Sequence, residues 1–117
     1  MDSTTVLSDA HATVIKHLLN RGIGYMEEID FPPYRVDCYL PDWHAVIEVD
    51  GPQHSMREIH KRDRALDEIY GLPVFHIGSG SANRPDLWMP GLLVFLTYSA
   101  LDALERRAAC EDKCPWI

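Results

Sequence analysis

Two carboxylates interrupt an apolar segment in the sequence IEVDGPQH, residues 47–54. Glu48 and Asp50 stand two positions apart, so a β-strand would bring both side chains to the same face of its sheet. A glycine and a proline follow and favour a turn, and His54 comes two residues after the proline. The pattern fits either a solvated strand face or a strand that carries a metal site, because hard divalent cations prefer oxygen ligands.

A further acidic residue stands on the preceding predicted strand. Segments 34–40 and 45–50 are typical of strands and are separated by four residues, which predicts a hairpin. In the antiparallel register of that hairpin Asp37 falls opposite Glu48, with Cβ atoms roughly 4.5–5.5 Å apart. Two carboxylates this close repel each other unless one is protonated or a cation lies between them. We therefore expect Asp37 and Glu48 to share one divalent cation.

The alternative for this hairpin is a water-facing acidic surface. The same register places Arg35 opposite Asp50, where the two would form a surface ion pair. A slip of one residue in the pairing would also separate the carboxylates.

The remaining pattern supplies the elements that must position these residues. The predicted helices are 7–20, 57–70 and 86–107, and the predicted strands are 25–29, 34–40, 45–50 and 72–77. Three meandering strands joined to a fourth through a helix predict an α/β fold with a mixed four-stranded sheet flanked by helices. The order is αβββαβ with an additional C-terminal helix, in a single domain spanning residues 1–117.

Two polar residues stand where apolar ones are expected. His11 falls at the centre of the apolar stripe of the first helix, and Asp63 borders the apolar face of the second. Taken alone, an aspartate in such a place is an ion-pair partner or a cap. The convergence of His11, His54 and Asp63 on the same two carboxylates instead predicts a catalytic site.

The net charge of −7 argues against a protein that binds nucleic acid through overall positive charge. A local basic group on the second helix offers contacts to a phosphate backbone, or else forms a solvated helix face. Its members are Arg57, His60, Lys61, Arg62 and Arg64.

Three cysteines without a dense framework favour a reducing, cytoplasmic environment. Cys110 and Cys114 lack a second Cys/His pair at zinc-site spacing, so we expect no zinc there. No apolar segment approaches the roughly 20 residues of a membrane span.

The segments YRVDCYLPDWHAVIEVDGPQH and KRDRALDEIYGLPVFHI resemble the restriction-endonuclease-like PD-(D/E)xK superfamily. Within that superfamily they are most similar to the very-short-patch-repair-type (Vsr-like) endonucleases and small proteins related to them. The resemblance covers about residues 8–77 and implies a restriction-endonuclease-like αβββαβ core.

The resemblance also implies roles for the matching residues. Asp37 matches the metal-binding aspartate and Glu48 the second acidic position, while Val49 would contribute a backbone carbonyl to the metal. His54 matches a histidine that acts near the scissile phosphate, and Asp63 matches the aspartate that orients it.

Two positions depart from the superfamily pattern. Asp50 stands where the superfamily carries a lysine, so no ammonium group is available there to activate water. His11 stands where relatives often carry a glutamate. Catalysis would therefore depend on the metal and on His54 as general acid or base.

The sequence predicts a Mg²⁺- or Mn²⁺-dependent endodeoxyribonuclease with DNA as its substrate, in the cytoplasm of a prokaryote or encoded by a phage. The alternative is a non-catalytic DNA-binding or assembly module on the same fold. A hydrolase that uses Asp37 and Glu48 as an acid/base pair is less favoured, because no sugar-stacking aromatic residues flank them. The C-terminal helix would either cover the sheet or form a homodimer interface.

Overall fold

The computed structural model describes residues 4–53 and 55–117, with the side chains of the first helix described from Asp9 onward. The helices within these residues are α1 (Thr4–Asn20), α2 (Met56–Tyr70), α3 (Pro85–Ser99) and α4 (Ala103–Glu111). The strands are β1 (Met26–Phe31), β2 (Tyr34–Leu40), β3 (Ala45–Asp50) and β4 (Val74–Gly78), and a short 3-10 turn covers Ser79–Ser81.

The four strands form one mixed sheet in the order β1-β2-β3-β4. The pairs β1–β2 and β2–β3 are antiparallel, and β3 and β4 are parallel and joined through α2. Leu40 pairs with Ala45, the register expected from the four-residue loop between them. The predicted α/β class, the αβββαβ order and the mixed sheet are confirmed.

Helices cover both faces of the sheet and bury two separate apolar clusters. On one face, α1 and α3 pack on side chains such as Cys38 and Ile47. On the other face, α2 and α4 pack on side chains such as Tyr39 and Val46. Adjacent residues of one strand thus point into different clusters, as the two-residue period of a strand requires.

The ends of α2 follow from local sequence. Ser55 accepts a hydrogen bond from the Glu58 amide at 3.2 Å and caps the first turn. Gly71 ends the helix with φ of 66°, a left-handed conformation that glycine adopts without a Cβ penalty. This helix carries Arg62 and Asp63, so its boundaries decide where those side chains enter the site.

The predicted helix 86–107 is corrected by the structure, which divides it into α3 and α4 meeting at 72°. Arg106 explains the break, because its guanidinium donates to the Ser99 carbonyl at 2.6 Å and to Asp102 at 2.8 Å. It thereby satisfies a carbonyl at the end of α3 and ties it to the first turn of α4. Among the described helices none is by itself long and apolar enough to cross a membrane, although α3 and α4 pass that test as a bent pair.

The apolar residues assigned to the C-terminal helix are divided between the core and the surface. Leu96 is buried against the sheet, whereas the other four are exposed: Leu93, Val94, Leu101 and Leu104. A homodimer interface on this surface remains a prediction.

Candidate active site at the open end of the sheet

The ladder between β1 and β2 is interrupted at one pair. Glu27 pairs with Cys38 and Ile29 pairs with Val36, but the described ladder contains no pair between Glu28 and the intervening residue, Asp37. Glu28 has φ of 53°, a left-handed backbone that is uncommon outside glycine. Such strained residues persist where the surrounding structure holds them and are concentrated at functional sites.

The interruption brings three potential metal ligands together. One ligand atom each of His11, Glu28 and Asp37 lies within 4.8 Å of the other two. His11 Nδ1 is 3.7 Å from Glu28 Oε1, and its Nε2 is 3.8 Å from Glu27 Oε2. These separations exceed hydrogen-bond length, and His11 Nε2 is buried without a hydrogen-bond partner among the described residues. The ring nitrogens are therefore available to a ligand that enters the site.

A backbone amide fixes the central carboxylate. Val49 N donates to Asp37 Oδ2 at 2.8 Å, so β2 and β3 remain connected through a side chain where their regular ladder ends. Asp37 thereby keeps a defined position beside the other two potential ligands, His11 on α1 and Glu28 on β1. Asp37, Glu48 and Val49 line the same cleft.

Glu48 lies in an environment that opposes its ionisation. Burial is the largest cause and the neighbouring Asp37 carboxylate the next, and together they raise the pKa of Glu48 to about 9, although Arg62 acts in the opposite direction. Without an added cation the Glu48 carboxyl group thus holds a proton at neutral pH. A divalent cation beside Asp37 would favour the ionised form.

Arg62 lines the cleft, and its guanidinium contacts other groups of the protein. Its Nη2 donates to Glu48 Oε1 and, at 2.9 Å, to the Arg35 carbonyl. Its guanidinium carbon also lies 5.7 Å from the centre of the Tyr34 ring, within cation–π range. The structure therefore assigns Arg62, predicted as a phosphate contact, an additional role as the partner of Glu48.

Asp50 and Asp63 are brought together by a histidine of β4. His76 Nδ1 lies 2.7 Å from Asp50 Oδ2, and His76 Nε2 lies 2.6 Å from Asp63 Oδ2. Asp50 thus contacts His76, whereas Arg35 forms its ion pairs with Glu28 at 3.4 Å and with Asp30 at 3.8 Å. The surface pair between Arg35 and Asp50 that the solvated-face alternative required is absent from the described ion pairs.

The other predicted residues lie further from the carboxylates. Four basic side chains of α2 are exposed: Arg57, His60, Lys61 and Arg64. Of these four, Lys61 also lines the cleft. His54, the predicted general acid or base, lies outside the described residues. Asp63, predicted to orient it, is bound to His76 through one oxygen, and its Oδ1 is buried without a hydrogen-bond partner in the described part of the chain.

The cleft has a volume of about 670 Å³ and combines residues from α1, α2 and all four strands. Two residues that make its central polar contacts, Glu28 and His76, were not predicted from the sequence. Glu27 and Glu28 are adjacent acids in a short strand, and the alternation of a strand would have turned one of them inward. His76 interrupts an apolar strand, which is the same signal that identified His11.

Comparison with solved structures finds a similar fold in the catalytic domain of the homing endonuclease I-Bth0305I. The TM-score is 0.60 and the sequence identity 22%, over 77% of this chain and 95% of that domain. No protein-family model matches the chain, and no curated protein matches it. The chain therefore has a nuclease-like fold, shared with an endonuclease catalytic domain at an identity that shows the fold alone.

Proposed function

We propose that the protein is a Mg²⁺- or Mn²⁺-dependent endonuclease that hydrolyses DNA phosphodiester bonds, related to the Vsr-like branch of the PD-(D/E)xK superfamily. The observation that carries the proposal is the convergence of His11, Glu28 and Asp37 within 4.8 Å in a cleft next to Glu48. The similarity in fold to I-Bth0305I supports the proposal, because the similar domain is the catalytic domain of an endonuclease.

The donor set fits a divalent cation. Two carboxylates and one imidazole offer ligand atoms that lie within 4.8 Å of one another, and the same imidazole has a buried Nε2 without a partner among the described residues. Carboxylates suit Mg²⁺ and Mn²⁺, and an imidazole shifts the preference toward Mn²⁺. His11, Glu28 and Asp37 would hold the ion, with Glu48 as the neighbouring acidic group; a ligand role for the Val49 carbonyl remains part of the proposal.

The residues around the cation site have separate tasks. A bound divalent cation supplies charge that polarises the scissile phosphate and lowers the pKa of the attacking water. The Val49 amide holds Asp37 in place, and Arg62 balances charge on Glu48. His54 is the proposed general acid or base, and removal of such a group typically slows a reaction by roughly 10²- to 10⁴-fold.

The exposed basic side chains of α2 are the proposed contacts to the DNA backbone. They lie on the helix that also delivers Arg62 into the cleft, so a duplex lying along α2 would bring a phosphate toward the carboxylates. Such contacts orient DNA without reading its sequence.

Plasmid cleavage with and without divalent cations tests the proposal. We expect nicking with Mn²⁺ and with Mg²⁺, and loss of nicking in EDTA that is restored when cation is added in excess. Calorimetric titration of Mn²⁺ in the absence of DNA should show binding to the wild-type protein. Nicking that persists in EDTA would overturn the metal-dependent mechanism.

A second candidate is a DNA-binding module without catalysis, and one observation favours it. Arg62 already places a positive charge beside Glu48, so the charge of this carboxylate can be balanced without a metal ion. A module of this kind should bind a duplex equally well in EDTA and in Mn²⁺, and should leave plasmid intact in both.

A further inference from the structure

A histidine held between two aspartates stands beside the proposed cation site. His76 on β4 is the register neighbour of Glu48 on β3, and both line the cleft. Its two ring nitrogens lie 2.7 Å from Asp50 and 2.6 Å from Asp63. Between 23% and 28% of each of these three side chains is exposed, so the row is partly shielded from water.

Ionised aspartates on both sides favour a charged imidazole ring. Each of the two hydrogen bonds needs one proton, and an ionised carboxylate only accepts, so with both aspartates ionised the ring donates from both nitrogens. The titratable groups beside His76 are Glu48 and Asp50 from β3 and Asp63 from α2, and Arg62 of α2 lines the same cleft. The Asp50–His76–Asp63 row then carries a net charge of −1, where the two aspartates alone would carry −2.

We propose that His76 is a positioning residue of the cleft, which as a cation fixes Asp50 and Asp63 and lowers the negative charge that an incoming phosphodiester meets. Both ring nitrogens are engaged by the aspartates, so His76 acts through them and not by touching the phosphate. The inference rests on the proposed function, because a polyanion must enter a cleft that already holds Asp37 and Glu48.

Loss of this charge should affect two ligands in opposite directions. In His76→Gln the cleft becomes more negative, so a short DNA duplex should bind more weakly, by roughly 3- to 30-fold for one unit charge at this range. Mn²⁺ should bind equally well or more tightly, because its proposed ligands are unchanged. A residue with a merely structural role would weaken both when removed.

The experiment measures each ligand separately and reads the ring directly. Calorimetry should be carried out with a duplex in EDTA and with Mn²⁺ alone, on wild type, His76→Gln, His76→Lys and the control Lys16→Gln, which removes one charge from the exposed face of α1. We expect His76→Lys to recover part of the DNA affinity and Lys16→Gln to match the wild type for both ligands. In ¹⁵N spectra at neutral pH, the His76 ring, assigned by its loss in His76→Gln, should show two protonated nitrogens.

The outcomes separate this inference from the proposed function. A neutral His76 ring, unchanged DNA affinity in His76→Gln, or a parallel loss of DNA and Mn²⁺ affinity would each overturn the role of His76 and leave the nuclease proposal in place. A wild-type protein that binds neither DNA nor Mn²⁺ would overturn the proposed function itself, and the role of His76 in the cleft with it.

Discussion

The two ends of the β2–β3 hairpin hold histidines in opposite environments. At the closed end, His44 is fully buried, with Nδ1 2.7 Å from the Tyr39 hydroxyl and Nε2 2.8 Å from the Tyr70 carbonyl. The carbonyl only accepts, so Nε2 donates to it, and in the neutral ring Nδ1 accepts from the hydroxyl. At the open end, His76 lies between two carboxylates, with Nδ1 2.7 Å from Asp50 Oδ2 and Nε2 2.6 Å from Asp63 Oδ2.

The same difference extends to the surrounding polar groups. At the closed end, Arg106 donates to the carbonyls of His44 and Gly71, each at 2.7 Å, and to the Trp43 carbonyl at 3.1 Å. Burial lowers the pKa of His44 and favours the neutral ring. At the open end, His11 Nε2 is buried without a hydrogen-bond partner among the described residues.

The polar groups that stabilise the fold and those available to a ligand lie at opposite ends of the same sheet. At the closed end, His44 and the Arg106 guanidinium are paired with groups of the protein, and the Nε of Arg107 is the one buried side-chain atom there without a partner among the described residues. Groups that repel one another or lack a partner are concentrated at the open end, where a ligand would satisfy them. Substitutions at the two ends should therefore give different kinds of effect, and four predictions test this.

The largest effect is expected for Asp37→Asn at the open end. The change keeps the shape but removes the charge that anchors the proposed cation, so plasmid cleavage should fall by orders of magnitude. Folding stability without metal should hold or rise slightly, because the Asp37 charge opposes the ionisation of Glu48 in the folded state. Asp42→Asn, in the exposed loop at the closed end, is the matched control and should cleave at the wild-type rate. Normal cleavage by Asp37→Asn would remove the open end from the mechanism.

The raised pKa of Glu48 predicts that stability without metal falls as pH rises. The unfolded carboxyl group has its ordinary pKa of about 4.5, whereas burial and the Asp37 charge raise the pKa of the folded one to about 9. Between these values the folded state binds more protons, so the free energy of unfolding decreases with pH, on the order of a few kcal/mol in total.

Denaturant unfolding at several pH values, compared with Glu48→Gln, measures this term. The difference between the two proteins should grow from pH 5 to pH 9 in favour of the variant, and Mn²⁺ should reduce it. Glu105→Gln, at an exposed site on α4, should show no such trend. A difference that is constant with pH would mean that Glu48 ionises normally in the folded protein.

At the closed end, His44→Ala should reduce stability without changing the cleft. It leaves the Tyr39 hydroxyl and the Tyr70 carbonyl unpaired in a buried site, which costs roughly 2–4 kcal/mol together with the cavity. Thermal unfolding and Mn²⁺ calorimetry would show a lower melting temperature and an unchanged metal affinity. The exposed His60→Ala should alter neither, and a loss of Mn²⁺ affinity in His44→Ala would show that the two ends are coupled.

The smallest effects are expected on the exposed face of α2, outside both ends. Lys61→Ala and Arg57→Ala should each weaken duplex binding a few-fold. Each lost phosphate contact should also reduce the slope of the logarithm of the binding constant against the logarithm of salt concentration by about 0.9. Binding measured at several salt concentrations tests this against Lys16→Ala on the exposed face of α1. Equal losses at all three positions would point to general charge in place of a defined DNA surface.

Local pattern was sufficient for the elements and for the register of the hairpin. Apolar periodicity and turn residues act between neighbours in the chain, so the strands 34–40 and 45–50, the helix that ends before Gly71 and the α/β class all follow from sequence. In an antiparallel pair the residue number rises along one strand as it falls along the other. The pairing of Leu40 with Ala45 therefore places Asp37 opposite Glu48.

The partners inside the cleft were decided only by the tertiary structure. The bonds from Arg62 to Glu48 and from His76 to Asp50 join residues 14 and 26 positions apart, and they depend on how α2 and β4 pack on the sheet. The interruption at Glu28 depends on its antiparallel partner strand. The periodicity of apolar residues gives no information about such contacts. It indicates on which face of a helix or strand a residue lies, but not which distant residue it contacts.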